Sequence, residues 1–184
     1  MGKVFWSGAV AALRGTDSAD LPSIGACLHA LERKQFVQRA RRSSVADESE
    51  YAFRHALLRD VAYGQIPRAE RAERHLRTAA WFETLGRPDE HAETLGYHYA
   101  AALELTRASG KPVDRFIESA RLALRHAGER AFAFNAFPRA ARFYADAAEL
   151  WPRHDPGRPL LLLQYGAALQ AVGCRNSVVK RERY

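Results

Sequence analysis

The hydrophobic pattern of the chain changes its period at His55, where one kind of element gives way to another. Before this residue, apolar and polar side chains alternate, and the positions of Tyr51 and Phe53 predict a strand over residues 50–54. After it, apolar residues recur at three- and four-residue steps, which predicts one face of a helix. That face consists of Leu57, Leu58, Val61 and Ala62.

Upstream of this change, the spacing of apolar residues predicts two helices and a β-hairpin. The elements expected are a helix over 3–14, a loop over 15–18, a helix over 21–33, a strand over 36–40 and a polar turn over 41–49. The apolar positions of the two helices are Val4, Phe5, Ala9, Ala12 and Leu13, then Ile24, Leu28 and Leu31. Helix, helix, hairpin and helix is the order of a winged-helix unit.

Downstream of the change, the pattern is helical throughout. Gly64 and Pro67 interrupt it, and a domain boundary is predicted there because glycine ends helices and proline starts them. We therefore expect a winged-helix-like domain over 1–66 and a helical domain over 67–184. Its helices are predicted at 68–85, 89–108 and 113–133, with a left-handed Asn135 and a further helix from Pro138 to near Trp151. The first should bury Ala72, Leu76, Ala79, Ala80 and either Trp81 or Phe82.

Small and large apolar residues of the second domain recur at the spacing of a tetratricopeptide repeat, which lets helices pack closely. The matching positions are Leu124, Ala127, Gly128, Ala131, Ala140, Tyr144, Ala147 and Pro152. Further starts lie at Leu162, Tyr165, Gly166 and Leu169, and more weakly at Ala92, Leu95, Gly96 and Tyr99. The alternative is a plain helical bundle with alanine-rich contacts. We therefore expect a mainly α protein. A small winged-helix domain with one β-hairpin should be followed by an antiparallel helix-pair (tetratricopeptide-like) superhelix whose last repeat is incomplete.

Composition is typical of a globular protein. Of 184 residues, 47% are hydrophobic and 27% are charged, and no run approaches the roughly 18 apolar residues that a membrane span needs. Residues 1–13 lack the pattern of a signal peptide, and Cys27 and Cys174 lie too far apart to suggest a disulfide framework. We therefore expect a cytoplasmic protein with no membrane partner.

The net charge of +7 comes from 24 arginines and 4 lysines that are interleaved with acidic residues. Pairs four residues apart, such as Glu70 with Arg74 and Glu73 with Arg77, indicate solvated helix faces. A denser cluster consists of Arg33, Lys34, Arg39, Arg41 and Arg42. This cluster could contact nucleic-acid phosphates as wings do, or it could be a hairpin tip or a docking surface. The helix before it offers little to contact base edges, because its residues include Ala26, Leu28 and Ala30.

Catalytic and cofactor motifs are missing from the sequence. It contains neither a phosphate-binding Gly-x-x-x-x-Gly-Lys-Ser/Thr nor a Gly-x-Gly-x-x-Gly, and its histidines do not form a His-Glu-x-x-His pair. Ser43 and Ser44 lie in a polar turn without a nucleophile elbow. We expect no enzyme activity, no metal and no cofactor in this chain.

The segment 51–63, with residues 66–72 and His75 after it, is similar to the region that follows the ATPase domain in bacterial signalling proteins of the STAND/AAA type. These are the adenylate/guanylate cyclase-associated ATP-binding proteins and related transcriptional activators. Residues 2–6 resemble the first winged-helix segment of that class. Residues 127–131 and 140–144 resemble its first well-formed tetratricopeptide-like repeat.

This resemblance implies a regulatory role and a nucleotide contact. In the class, a winged-helix histidine near a strand-to-helix junction contacts the β-phosphate of ADP, a role that falls on His55 with Arg54 beside it. ATP or ADP would belong to the parent family, since the ATPase and cyclase motifs are absent here. We therefore expect a truncated or split, non-catalytic interaction module that binds a protein partner or a separate ATPase domain. The alternative is a DNA-binding transcriptional regulator that uses the basic wing.

Overall fold

A computed structural model describes residues 4–14 and 21–181 of the chain, so the loop predicted at 15–18 lies outside the described residues. The described part contains eight α-helices and one three-stranded antiparallel sheet, which confirms a mainly α fold. It forms two compact units, one ending at Gly86 and the other beginning at Arg87. The sequence pattern places the boundary earlier, after residue 66.

The first unit contains the sheet and four helices. Its elements are β1 (Val4–Trp6), α1 (Ser7–Arg14), α2 (Leu21–Arg33), β2 (Val37–Arg39), β3 (Glu50–Phe53), α3 (Ala56–Gly64) and α4 (Arg68–Thr84). The strand order is β1-β3-β2, and both neighbouring pairs are antiparallel. The hairpin of β2 and β3 and the change from strand to helix after Phe53 are as the sequence predicts.

Strand β1 corrects the helix predicted over residues 3–14. Val4–Trp6 pairs with β3 in the register Phe5 opposite Tyr51, and the helix begins only at Ser7. The Phe5 ring stacks on Tyr51 with centroids 5.8 Å apart and lies 5.3 Å from Phe53. Cross-strand aromatic pairs stabilise a sheet, and these partners are some 45 residues away, beyond the reach of local periodicity. The sheet therefore has three strands, one more than a single hairpin.

A carboxylate from the turn before β3 satisfies the start of α1. The Ser7 hydroxyl donates to Glu48 Oε2 at 2.9 Å, and the backbone N–H of Gly8 donates to the same oxygen at 2.7 Å. The first N–H groups of a helix have no partner within the helix, and a negative charge there also complements the helix dipole. Glu48 thus fixes the point at which β1 becomes α1.

Helix α4 packs with the first unit, which is why that unit extends to Gly86. The rings of Trp6 and Trp81 stack 6.2 Å apart, and Trp6 meets the Phe82 ring edge-on at 5.3 Å. The buried side chains of α4 are Ala72, His75, Thr78, Ala79 and Phe82. The expectation of a buried Ala80 is wrong, since this residue is exposed, and Leu76 is only half-buried.

The second unit is a series of helices joined by short turns. These are α5 (Pro88–Ala108), a 3-10 turn (Asp114–Phe116), α6 (Ile117–Ala133), α7 (Phe137–Leu150) and α8 (Arg158–Arg181). Successive helices of this unit pack against one another. Asn135 has φ of 57°, as predicted for the residue that ends α6. Pro138 lies in the first turn of α7 and Trp151 follows its last residue, also as predicted.

Close helix contacts in this unit occur at glycines. A Cβ built on Gly96 would lie 2.5 Å from Ala127 Cβ, and one built on Gly128 would lie 2.6 Å from Tyr144 Cε1. The apolar positions expected in α6 and α7 are buried: Leu124, Ala127, Ala131, Ala140, Tyr144 and Ala147. In α8 the expected pattern is displaced by one residue. Leu161 and Ala168 are buried, whereas Leu162 and Leu169 are 44% and 48% exposed.

Candidate functional site

His55 lies at the junction of β3 and α3, where the sequence places it. It is the residue before α3, its backbone is extended, and its imidazole makes no capping hydrogen bond. Both His55 and Arg54 are exposed. The Arg54 N–H donates to the Phe36 carbonyl at 3.1 Å and continues the hairpin pairing. The backbone at this junction is therefore ordered by pairing, and the two polar side chains project to the surface.

The basic cluster is exposed along the end of α2 and the β2–β3 hairpin. All five of its side chains are exposed: Arg33, Lys34, Arg39, Arg41 and Arg42. The Arg39 guanidinium donates to Ser49 Oγ at 2.8 Å, which holds it across the hairpin. Glu50, the nearby acid of β3, accepts hydrogen bonds from Ser44 instead. The cations of the cluster are thus exposed, with the acidic Asp47 and Glu50 on the same hairpin.

A cavity of about 300 Å³ lies within the first unit, between α3, α4 and the end of α1. Its apolar walls come from Leu13, Phe53, Ala62 and Ile66. Its polar lining comes from Arg59, Tyr63, Arg71, Arg74, His75 and Thr78. Neither His55 nor Arg54 is among the residues that line it. The lining contains three cationic side chains and no carboxylate.

The polar side of this cavity is built around Tyr63 and His75. The Tyr63 hydroxyl and His75 Nε2 are 2.9 Å apart, and the Arg71 guanidinium lies over the Tyr63 ring, 4.9 Å from its centroid. His75 is 2% exposed, and burial, with neighbouring positive charge including Arg71, lowers the pKa of His75 to about 3. The imidazole is therefore neutral near pH 7, so the positive charge in the cavity comes from the arginines.

The three arginines of the cavity differ in their partners. Arg59 binds the neighbouring Asp60 carboxylate at 2.5 Å, and Arg74 binds Glu70 at 2.6 Å, as the sequence predicts for that pair. Arg71 has a buried Nε–H with no hydrogen-bond partner in the described chain. A buried, unpaired donor on a cation is costly, because it has lost its water without gaining an acceptor. Arg71 is the arginine of the set without a carboxylate partner among the described residues.

A second cavity, also of about 300 Å³, lies within the helical unit. Its lining comes from α6, α7 and α8 and consists of Glu129, Phe132, Ala133, Tyr144, Gln164 and Ala167. Glu129 accepts hydrogen bonds from Arg125 at 2.9 Å and from Gln164 Nε2 at 3.0 Å. Burial opposes ionisation of this carboxyl, but the bonds from Gln164 and Arg125 outweigh it and the pKa of Glu129 is lowered. Gln164 Oε1 is buried and has no partner among the described residues.

The structure places no metal-binding group in the described ranges. Nowhere in them do three His, Cys, Asp or Glu side chains lie close enough to hold an ion. Every described helix is too short or too polar to cross a bilayer.

Comparisons with protein-family models, with curated proteins and with solved structures returned no match for this chain. The chemistry of the two cavities and of the exposed cations is thus what bears on function.

Sequence patterns did not indicate the two cavities. His75 and Thr78 occupy the buried face of α4 at positions three and six after Ala72, so two polar residues interrupt an otherwise apolar stripe. Polar residues on a buried face need partners, and that interruption is the signal that could have pointed to the first cavity. Gln164 carries no such signal, because its importance depends on contacts with α6, 35 residues away.

Proposed function

We propose that this chain is a non-catalytic interaction module, with a winged-helix-like unit followed by tetratricopeptide-like helix pairs. The observation that carries the proposal is the cavity between α6, α7 and α8 with its unpartnered Gln164 Oε1. A buried amide oxygen without a donor calls for one from outside, and the backbone N–H of a bound peptide supplies it. Phe132 and Tyr144 provide apolar surface beside that acceptor.

Two further features support a helix-pair repeat in this unit. Glycines lie where neighbouring helices come closest, as small residues do in packed repeats. The last helix, α8, exposes large apolar residues, with Leu160 51% and Leu163 71% exposed in addition to Leu162 and Leu169. Contiguous exposed apolar residues mark surfaces that a partner can cover.

The proposal is tested by peptide selection on the full chain, with phage-displayed extended peptides and fluorescence anisotropy of those selected. Ala167 is exposed at the cavity and Gln170 is exposed on the same helix outside its lining. Ala167→Trp should fill the cavity and weaken binding at least tenfold, whereas Gln170→Trp should leave it unchanged. Equal effects of the two variants, or failure to select any peptide, would refute peptide binding at this cavity.

We further propose that the module belongs to a STAND-type signalling system and acts beside an ATPase domain in the cytoplasm. The exposed pair of His55 and Arg54 at the β3–α3 junction supports this, since an imidazole N–H and a guanidinium can both donate to a phosphate. Thermal melting of the chain with ADP measures the contact. A rise in Tm that is lost in His55→Ala supports it, and a Tm unmoved by ADP leaves the module without a nucleotide contact of its own. Turnover of ATP by the purified chain contradicts a non-catalytic role.

Nucleic-acid binding is a second candidate function, favoured by the exposed hairpin cations. Arg33, Lys34, Arg41 and Arg42 make no ion pair with any described residue. Free cations on a hairpin can neutralise backbone phosphates. Specific base contacts have little support, because Leu28 of α2 is buried in the core and the outward side chains near it include Ala26 and Cys27.

A further inference from the structure

We propose that the cavity of the first unit binds a small monocarboxylate with an apolar body, whose carboxylate is held by the guanidinium of Arg71. This site is separate from the peptide groove of the helical unit and from the exposed His55. The charge balance and the shape of the cavity carry the proposal.

The charge balance of the cavity calls for one negative charge. Of its three arginines, Arg59 is neutralised by Asp60 and Arg74 by Glu70. His75 adds no charge near pH 7, because burial lowers the pKa of His75 to about 3. Arg71 remains as the one cation of the lining without a carboxylate among the described residues. A ligand with one negative charge balances the Arg71 guanidinium, whereas a phosphate dianion would leave one negative charge unbalanced.

The guanidinium of Arg71 suits a carboxylate. Its central carbon lies over the Tyr63 ring, 4.9 Å from the ring centroid, and Arg71 lines the cavity. A planar carboxylate can accept from two N–H groups of a guanidinium together, which is the bidentate pair that arginine makes with acids.

The remaining walls set the size and polarity of the ligand. Leu13, Phe53, Ala62 and Ile66 offer hydrocarbon and a ring for the apolar body of the ligand. The volume of about 300 Å³ is at the lower end of small-molecule sites. It suits about ten non-hydrogen atoms, such as a medium-chain fatty acid or an arylalkanoic acid.

The experiment is calorimetric titration of the full chain with octanoate, with octanamide as the uncharged isostere. We expect saturable one-to-one binding of octanoate and at least tenfold weaker binding of octanamide, because only the acid pairs with Arg71. Inorganic phosphate is the probe for an anion without an apolar body. Absence of octanoate binding, equal binding of the amide, or tighter binding of phosphate would each overturn the proposal.

Variants of α4 locate the site. Arg71→Gln should weaken octanoate binding about 10- to 100-fold, and Arg71→Lys should weaken it less, because lysine keeps the charge but not the planar pair of donors. Arg68→Gln is the control, since Arg68 is an exposed arginine on the same helix outside the cavity. Unchanged affinity in Arg71→Gln, or an equal loss in Arg68→Gln, contradicts the assignment.

A variant on the apolar wall keeps the test independent of Arg71, whose replacement could unfold the unit. Ala62 lines the cavity from the exposed side of α3, so Ala62→Leu narrows it without disturbing the core. The preference for octanoate over butanoate should fall at least fivefold in this variant. An unchanged preference would show that the hydrocarbon chain does not lie in this cavity.

Discussion

The hydroxyl of Tyr63 and Nε2 of His75 lie 2.9 Å apart and join the end of α3 to the middle of α4. His75 is among the largest fully buried side chains of the described residues, and a neutral imidazole is the form that this site accepts. The contact lies in the first unit, close to Arg71, Arg74 and Arg59 of the cavity lining. A protonated His75 would therefore have no carboxylate counterion among the residues that line the cavity.

Stability of the first unit should fall in mild acid. The pKa of His75 is about 3 in the folded state and 6.5 for the ordinary side chain, so protonation favours the unfolded chain. The neutral His75 makes its full contribution to the free energy of unfolding above pH 6.5. This contribution is lost as the pH falls from 6.5 towards 3, with a loss of about 2 kcal/mol by pH 5. Urea unfolding at pH 7.5 and pH 5, followed by tryptophan fluorescence, measures it.

The variant His75→Gln should be less stable at pH 7.5 but should lose most of this pH dependence. His55→Gln is the control, because His55 is an exposed histidine immediately before α3. Burial also lowers the pKa of His91 in the second unit, so the comparison of variants, rather than the wild-type slope, identifies the group. An unchanged slope in His75→Gln would assign the acid sensitivity to another residue.

Gly128→Ala should destabilise the helical unit. The new Cβ would lie 2.6 Å from Tyr144 Cε1, so α6 and α7 must separate or the ring must leave its buried position. Overpacking of this kind costs about 1–3 kcal/mol, which exceeds the gain of up to about 1 kcal/mol from replacing a helical glycine with alanine. Thermal unfolding followed by circular dichroism at 222 nm should show a lower Tm.

Gly166→Ala in α8 is the matched control for Gly128→Ala. A Cβ at this position meets no atom within 4 Å, so only the gain in helix propensity remains, about 0.5–1 kcal/mol. The two variants should therefore shift the Tm in opposite directions. A lower Tm for both variants would mean that Gly166 lies against a neighbouring element.

Glu48→Gln should weaken the start of α1. The Glu48 carboxylate accepts from both the Ser7 hydroxyl and the Gly8 N–H, and charged hydrogen bonds of this kind are worth about 1.5–3 kcal/mol. We expect a loss of about 1–2 kcal/mol in urea unfolding, because the amide keeps one acceptor oxygen. Asp47→Asn removes a charge from the same turn and tolerates its φ of 61°, so it should change stability little.

Duplex DNA should bind the hairpin through its phosphates and without base specificity. If it binds, affinity should fall steeply between 50 and 200 mM salt, and Arg41→Ala with Arg42→Ala should lower the salt slope by about 2. Arg77→Ala is not a neutral control, since the Arg77 guanidinium donates to the Leu13 carbonyl, so Arg153→Ala at an exposed position of the second unit is preferred. Binding that survives in the double variant would exclude the hairpin as the contact surface.

Local patterns were sufficient for most elements because their causes lie within a few residues. Glycine and proline mark the ends of α3 and the start of α7, the alternation of Tyr51 and Phe53 marks β3, and the apolar stripe of α5 predicts its buried face. Both i,i+4 pairs expected in α4 are formed, at 2.6 and 3.8 Å. In each case the side-chain direction follows from backbone periodicity alone.

Tertiary contacts decided what periodicity could not encode. Val4–Trp6 is a strand because Tyr51 and Phe53 offer partners for Phe5 across the sheet, and His75 is buried because Tyr63 supplies its hydrogen bond. The unpaired Nε of Arg71 and Oε1 of Gln164 are likewise defined by groups distant in sequence. The amino-acid sequence by itself determined a mainly α chain with a hairpin and closely packed helices. Only the tertiary structure decided where polar groups are buried without partners, because burial depends on which helices meet.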